Sequence, residues 1–87
     1  MKWVLTENRL TGDEHWQQGT CQPSDIRDPV AFRLLDDDGN VYFTGLLERE
    51  AFDNAPDYVA FEPLDAFGAA YGCTELQYKE NGHWRTL

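Results

Sequence analysis

Positive charge is scarce in this chain. Lys and Arg together number 7 against 16 Asp and Glu, a net charge of −9 at pH 7. Binding a phosphate backbone requires cations that displace its counterions, so direct nucleic-acid binding is disfavoured. Anionic membrane surfaces are disfavoured on the same ground. Cysteine is limited to Cys21 and Cys73, too few for a disulfide framework and with neither a CxxC nor a CxxH spacing. They are expected as two free thiols, since a bridge would need their Cα atoms within about 7 Å. The single serine, Ser24, lies outside any GxSxG, the pattern that would make it a nucleophile. His15 and His83 show no HxH, HxxxH or HExxH spacing, and both are expected to be exposed or structural. The glycines form no GxGxxG or Walker loop, so no phosphate cradle is indicated.

Long apolar runs are missing too. Nothing approaches the ~20 residues of a membrane span. The opening MKWVLTENRL has one Lys and three apolar residues before Thr6 and Glu7, which is not a signal-peptide pattern. The expectation is a soluble cytoplasmic protein with no cofactor, no membrane partner and no catalytic machinery. Paired carboxylates are abundant, but with 16 acids in 87 residues a close pair is a chance match.

What the chain does have is aromatic mass and localised acidity. The length of 87 residues bounds the chain to one domain. Three Trp, four Tyr and five Phe each remove about 150–250 Å² from water when buried, enough to give a small domain a core. Residues 1–35 carry five acids and four bases, and residues 66–87 carry two of each. Residues 36–65 carry nine acids and one base, Arg49. Nearly all the excess charge therefore lies in the middle third, where it would attract a basic protein partner.

Residues 2–6, KWVLT, read as a short strand. Residues 8–28 have Gly, Pro, Ser and Asp scattered through them and read as a long irregular connection, with a short strand near Trp16–Thr20. The runs VAFRLL (30–35) and VYFTGLL (41–47) flank DDDGN (36–40), and Asp-Gly between strand-like runs is a strong hairpin signal. A type I′ turn on Asp38-Gly39 would pair Asp37 with Asn40. Counting outward, Leu34 then faces Phe43, Phe32 faces Gly45 and Val30 faces Leu47, all on one apolar face. Arg33–Thr44 and Leu35–Tyr42 fall on the other.

Residues 58–61, YVAF, read as a further strand. Residues 63–71 read as one short helix, with Pro63 at its start, Leu64, Phe67 and Tyr71 on one face, and Gly72 at its end. CTELQYK and HWRTL, joined at Asn81-Gly82, read as a closing hairpin. The expected fold is α+β: a small antiparallel sheet built from hairpins, with one short helix packed on it.

The cluster Asp36-Asp37-Asp38 also admits a metal reading. Aligned on an EF-hand loop through Gly39, it puts Leu34 and Gly45 at the first and last ligand positions, where neither can serve. The three aspartates are therefore expected as hairpin-turn residues first and as part of an acidic recognition surface second. That surface is assigned to Asp36, Asp37, Asp38, Glu48, Glu50, Asp53 and Asp57, with Tyr42 as an aromatic anchor. Of the aromatic residues, Tyr42 and Trp16 are the ones expected at the surface.

The run FRLLDDDGNVYFTG, followed by FEPLDAFGAAYGCTELQY and ENGHW, resembles a type of small bacterial or phage protein to which no activity is attached. The resemblance spans residues 32–87 and implies an intracellular bacterial or phage setting. The expected function is a non-enzymatic acidic binding module that engages a basic, nucleic-acid-binding protein by presenting carboxylates in place of phosphates. Small acidic phage inhibitors, anti-CRISPR proteins among them, are analogous in size and charge. Two alternatives stand beside it: a soluble accessory protein whose acidity serves solubility, and a small ligand carrier or enzyme with a pocket between helix and sheet.

Overall fold

The DDDGN hairpin forms and organises the rest of the chain. In the computed structural model, which describes residues 1–87, β3 (Pro29–Leu35) and β4 (Val41–Glu48) pair antiparallel. The pairs include Val30↔Leu47, Phe32↔Gly45, Arg33↔Thr44 and Leu34↔Phe43, the register that the alternation of apolar residues dictates. The turn differs from the expected one. Gly39 has φ 81°, whereas Asp38 has no positive φ, so the two-residue type I′ turn is ruled out. Instead the Gly39 N–H donates to the Asp36 carbonyl at 3.2 Å, and the Asp36 N–H to the Asn40 carbonyl at 3.0 Å. Asp36, not Asp37, therefore closes the loop against Asn40. The register then shifts, so that Leu35 pairs with Val41 rather than Tyr42. Tyr42 is the extra residue of a β-bulge, which re-aims its side chain.

β1 (Trp3–Asn8) joins the free edge of β4, and β5 (Glu75–Glu80) joins the free edge of β3. The two-residue β2 (Gln18–Gly19) and β6 (His83–Thr86) form the edges, giving a six-stranded antiparallel sheet in the order β2-β1-β4-β3-β5-β6. β2 is the short strand expected within the 8–28 connection. That connection also holds an Asn8–Asp13 bridge and a 3₁₀ turn at Pro23–Asp25.

The α+β class holds, but the single helix becomes three. α1 (Glu50–Asp53), α2 (Asp57–Ala60) and α3 (Glu62–Ala66) follow β4, and a 3₁₀ turn over Gly68–Tyr71 leads into β5. The expected strand at 58–61 is instead α2 and its C-cap, Phe61. Pro56 immediately precedes α2, Pro63 lies in the first turn of α3, and acids occupy the first turn of all three helices. Acids near helix N-termini meet the positive end of the helix dipole.

Helices of four or five residues are unstable alone; packing on the sheet holds these. Trp3, Leu5, Phe32, Leu34, Phe43, Leu47 and Leu76 form the sheet side of one cluster, and Ala51, Ala60, Leu64 and Cys73 the other side. Each large apolar side chain buried this way stabilises the fold by about 1.5–3 kcal/mol. The one buried side-chain polar atom without a partner is the Trp3 indole nitrogen.

On β3, β5 and β6 the opposite face of the sheet is polar and internally bonded. Arg33 Nε donates to Gln77 Oε1 at 2.7 Å, Gln77 Nε2 to Glu75 Oε2 at 2.8 Å, and Thr86 Oγ1 to the same oxygen at 2.7 Å. The Arg33 guanidinium also lies 4.2 Å above the Trp84 ring, within cation–π range.

Candidate partner-binding surface

The hairpin tip is built around one carboxylate. Asp36 Oδ1 accepts from the Asp38 N–H at 3.0 Å and the Asn40 N–H at 2.8 Å, and Oδ2 accepts from Asn40 Nδ2 at 3.0 Å. The Asn40 bonds lead in holding the Asp36 carboxyl below its ordinary pKa, with Tyr42 and the Asp38 amide adding to them. The Tyr42 hydroxyl is in turn raised, because its bond to Asp36 and the negative charge there favour the protonated form. Asp36 and Tyr42 are thus half-buried parts of the turn, while Asp37 and Asp38 are exposed. No group of three or more His, Cys, Asp or Glu is arranged to hold a metal ion.

Glu48, Glu50 and Asp53 lie at the other end of β4. They line an open depression of about 270 Å³ together with Arg27, Asp28, Arg49 and Asn54. Arg49 Nε pairs with Asp28 Oδ2 at 3.1 Å, and Glu48 Oε1 accepts the Lys2 N–H at 3.1 Å. No hydrophobic side chain lines the depression, so it differs from the deep apolar pocket that a ligand carrier would present. Seven residue steps of strand separate Val41 from Glu48, roughly 23 Å at 3.3 Å per residue. The sequence-assigned acids therefore fall into two groups at opposite ends of the hairpin, with Asp57 apart from both at the start of α2.

The longest acidic segment without a cation of its own is the helical layer, whose first acids, Glu50 and Asp53, also line the depression. Residues 50–71 hold Glu50, Asp53, Asp57, Glu62 and Asp65, and no Lys, Arg or His. None of these five is in an ion pair; the three salt bridges are Arg9–Glu7, Arg49–Asp28 and Arg85–Glu80. Within the same segment Tyr58 is 73% exposed and Tyr71 51% exposed. These, rather than Tyr42 and Trp16, are the exposed aromatic side chains. Trp16 is instead partly buried against the core, its ring 5.5 Å from that of Phe43. Glu62, Asp65, Tyr58 and Tyr71 were not among the sequence-assigned site residues. The signal that finds them is the absence of any cation between Arg49 and Lys79.

The remaining reactive side chains are dispersed. His15 and His83 are exposed and lie apart in the fold, His15 in the 8–28 connection and His83 at the start of β6. Both cysteines are free, Cys21 half-buried and Cys73 buried. Burial, then the nearby Asp36 charge, pushes the Cys73 thiol up to about 11. The Cys21 thiol is also raised, first by burial and then by Asp25. A nucleophilic thiolate needs the opposite shift. No helix is long and apolar enough to cross a membrane. No protein-family model matches the chain, and no match is found among curated proteins or solved structures.

Proposed function

We propose that this protein is a small acidic binding module whose helical layer engages a basic protein partner. In its concrete form it is an inhibitor or regulator that occupies a nucleic-acid-binding groove, its carboxylates standing where phosphates would lie. The observation that carries this reading is the segment 50–71: five carboxylates outside any ion pair and no cation of its own, with Tyr58 exposed within it. Unpaired surface charges speed encounter with an oppositely charged partner. An exposed tyrosine supplies the apolar contact on which interface energy concentrates. The hairpin-tip carboxylates of Asp37 and Asp38 extend the same field toward a second contact.

The test is capture of partners from a lysate of the source organism, washed through rising salt. The expected result is a basic nucleic-acid-binding protein that is retained at low salt and elutes between about 50 and 500 mM, since surface charge interactions are screened over that range. Retention unchanged across the series would overturn the charge-based mechanism, and no capture at low salt would leave the acidity with a role in solubility alone.

A further inference from the structure

Tyr58 is 73% exposed, and its ring belongs to none of the aromatic pairs of the fold. Tyr71, the other exposed tyrosine, is instead packed edge-on against Phe43 and tilted against Phe67. The fold therefore gains no ring contact from Tyr58.

The backbone around Tyr58 follows one helical path from α2 into α3. Phe61 is the C-cap of α2 and the N-cap of α3, with φ −76° and ψ −8° in the right-handed helical region. Its N–H donates to the Asp57 carbonyl at 3.1 Å, and its own carbonyl accepts the Asp65 N–H at 2.9 Å. Along such a path, residues four and seven apart share a face. Ala60, Pro63 and Leu64 are buried and define the inner face. Tyr58, Glu62 and Asp65, at i, i+4 and i+7, fall on the outer one. Unlike Glu50 and Asp53, these two acids do not share the depression with Arg27 and Arg49.

We infer that this outer face reads arginine: a guanidinium of the partner lies flat on the Tyr58 ring and donates from its edge to the neighbouring Glu62 carboxylate, with Asp65 adding to the field. The inference rests on the basic-partner reading and names the cation that reading leaves open. Charge complementarity selects a cation, and the ring beside the carboxylates selects which one. A guanidinium is planar and weakly hydrated, so it stacks on a ring while its edge N–H groups bond a carboxylate. An ammonium is a compact, strongly hydrated charge that gains less from the ring. The chain's own sheet displays the same contrast. The Arg33 guanidinium lies 4.2 Å above the Trp84 ring while its Nε donates to Gln77 Oε1 at 2.7 Å, and Lys79 Nζ stays 5.8 Å from that ring.

Two peptides of equal length and charge are the probes, one of arginine alone and one of lysine alone, each titrated at low salt. The arginine peptide is expected to bind wild type about fivefold or more tighter than the lysine peptide. In Tyr58→Ala that ratio should fall to about one, through lost arginine affinity with the lysine peptide little changed, whereas Tyr58→Phe keeps the ring and should preserve it. Equal binding of the two peptides to wild type would overturn the inference, as would a ratio that survives in Tyr58→Ala. Either result leaves the basic-partner reading standing, whereas binding of neither peptide would overturn both. Since the Tyr58 ring makes no ring contact, Tyr58→Ala is expected to keep wild-type circular dichroism; if it does not, Tyr58→Leu takes its place.

Discussion

Gly45 shows what a single position can demand. A Cβ there would overlap the Val4 carbonyl oxygen, and would lie 2.9 Å from Leu5 Cα and 3.1 Å from the Phe32 ring. Two of these contacts are backbone, so a rotamer change cannot relieve them. Gly45→Ala is expected to cost about 3 kcal/mol or more, at or beyond the upper end for overpacking, measured as a lower urea midpoint. A loss below about 1 kcal/mol would mean that β1 lies further from β4 than described. The Phe32–Gly45 pairing was legible in the sequence because hairpin register follows from alternation and turn position. The approach of β1 was not, because nothing local to KWVLT specifies its neighbour. Cys73 gives a second residue-scale prediction. Its thiol pKa is raised to about 11 by burial first, so folding favours the neutral form. That contribution is fully present below the unfolded thiol's pKa of about 8.5 and is lost as pH rises toward the folded value. The stability of wild type should therefore fall over that window more steeply than that of Cys73→Ala. Equal slopes would show that Cys73 is not desolvated.

Among the elements, the strands were easier to read than the helices, for a physical reason. A hairpin declares itself twice, through alternation and through its turn. A four-residue segment such as YVAF fits a period of two or of 3.6 equally well. Its β-branched and aromatic residues favoured strand, while Pro56 and Asp57 before it were the helix-start signals that prevailed. The bulge at Tyr42 was hidden for a similar reason: the side chain of Asp36, not an Asp-Gly pair alone, closes the turn. Because α1, α2 and α3 are too short to stand alone, their order depends on the few side chains they place on the sheet. Leu64 is one of these, 7% exposed within the main cluster. Leu64→Ala is expected to destabilise by about 2–4 kcal/mol. Amides of the helical layer should then exchange hydrogen faster, relative to those of β3 and β4, than in wild type. If the layer and the sheet accelerate together, the layer is not a separable opening unit.

For the whole molecule, the segregation of charge could be read from composition, but its placement could not. Counting along the chain isolates residues 36–65 as strongly acidic. Only the fold divides that segment between a hairpin tip, a depression at the far end of β4, and the helices that continue from that depression. The sheet explains the division, since β4 carries the chain from one end of the molecule to the other. Arg27 and Arg49 line the depression beside Glu50 and Asp53, and no cation belongs to the helical segment itself. Arg9, Arg49 and Arg85 are paired with acids, and Arg33 and Lys79 are near the Trp84 ring on the polar sheet face. Beyond the depression, Asp57, Glu62 and Asp65 are left in a segment that has no cation, with Tyr58 exposed within it.

The measurement that tests this account most directly is a comparison of two charge-removed variants in the salt-washed capture. One replaces Glu50, Asp53, Asp57, Glu62 and Asp65 with their amides; the other replaces Asp37 and Asp38 with Asn. Both are first checked for wild-type circular dichroism. The account predicts that the layer variant loses the basic partner at the lowest salt, while the tip variant retains it with a shallower salt dependence. A layer variant that holds the partner as tightly as wild type would contradict the central claim.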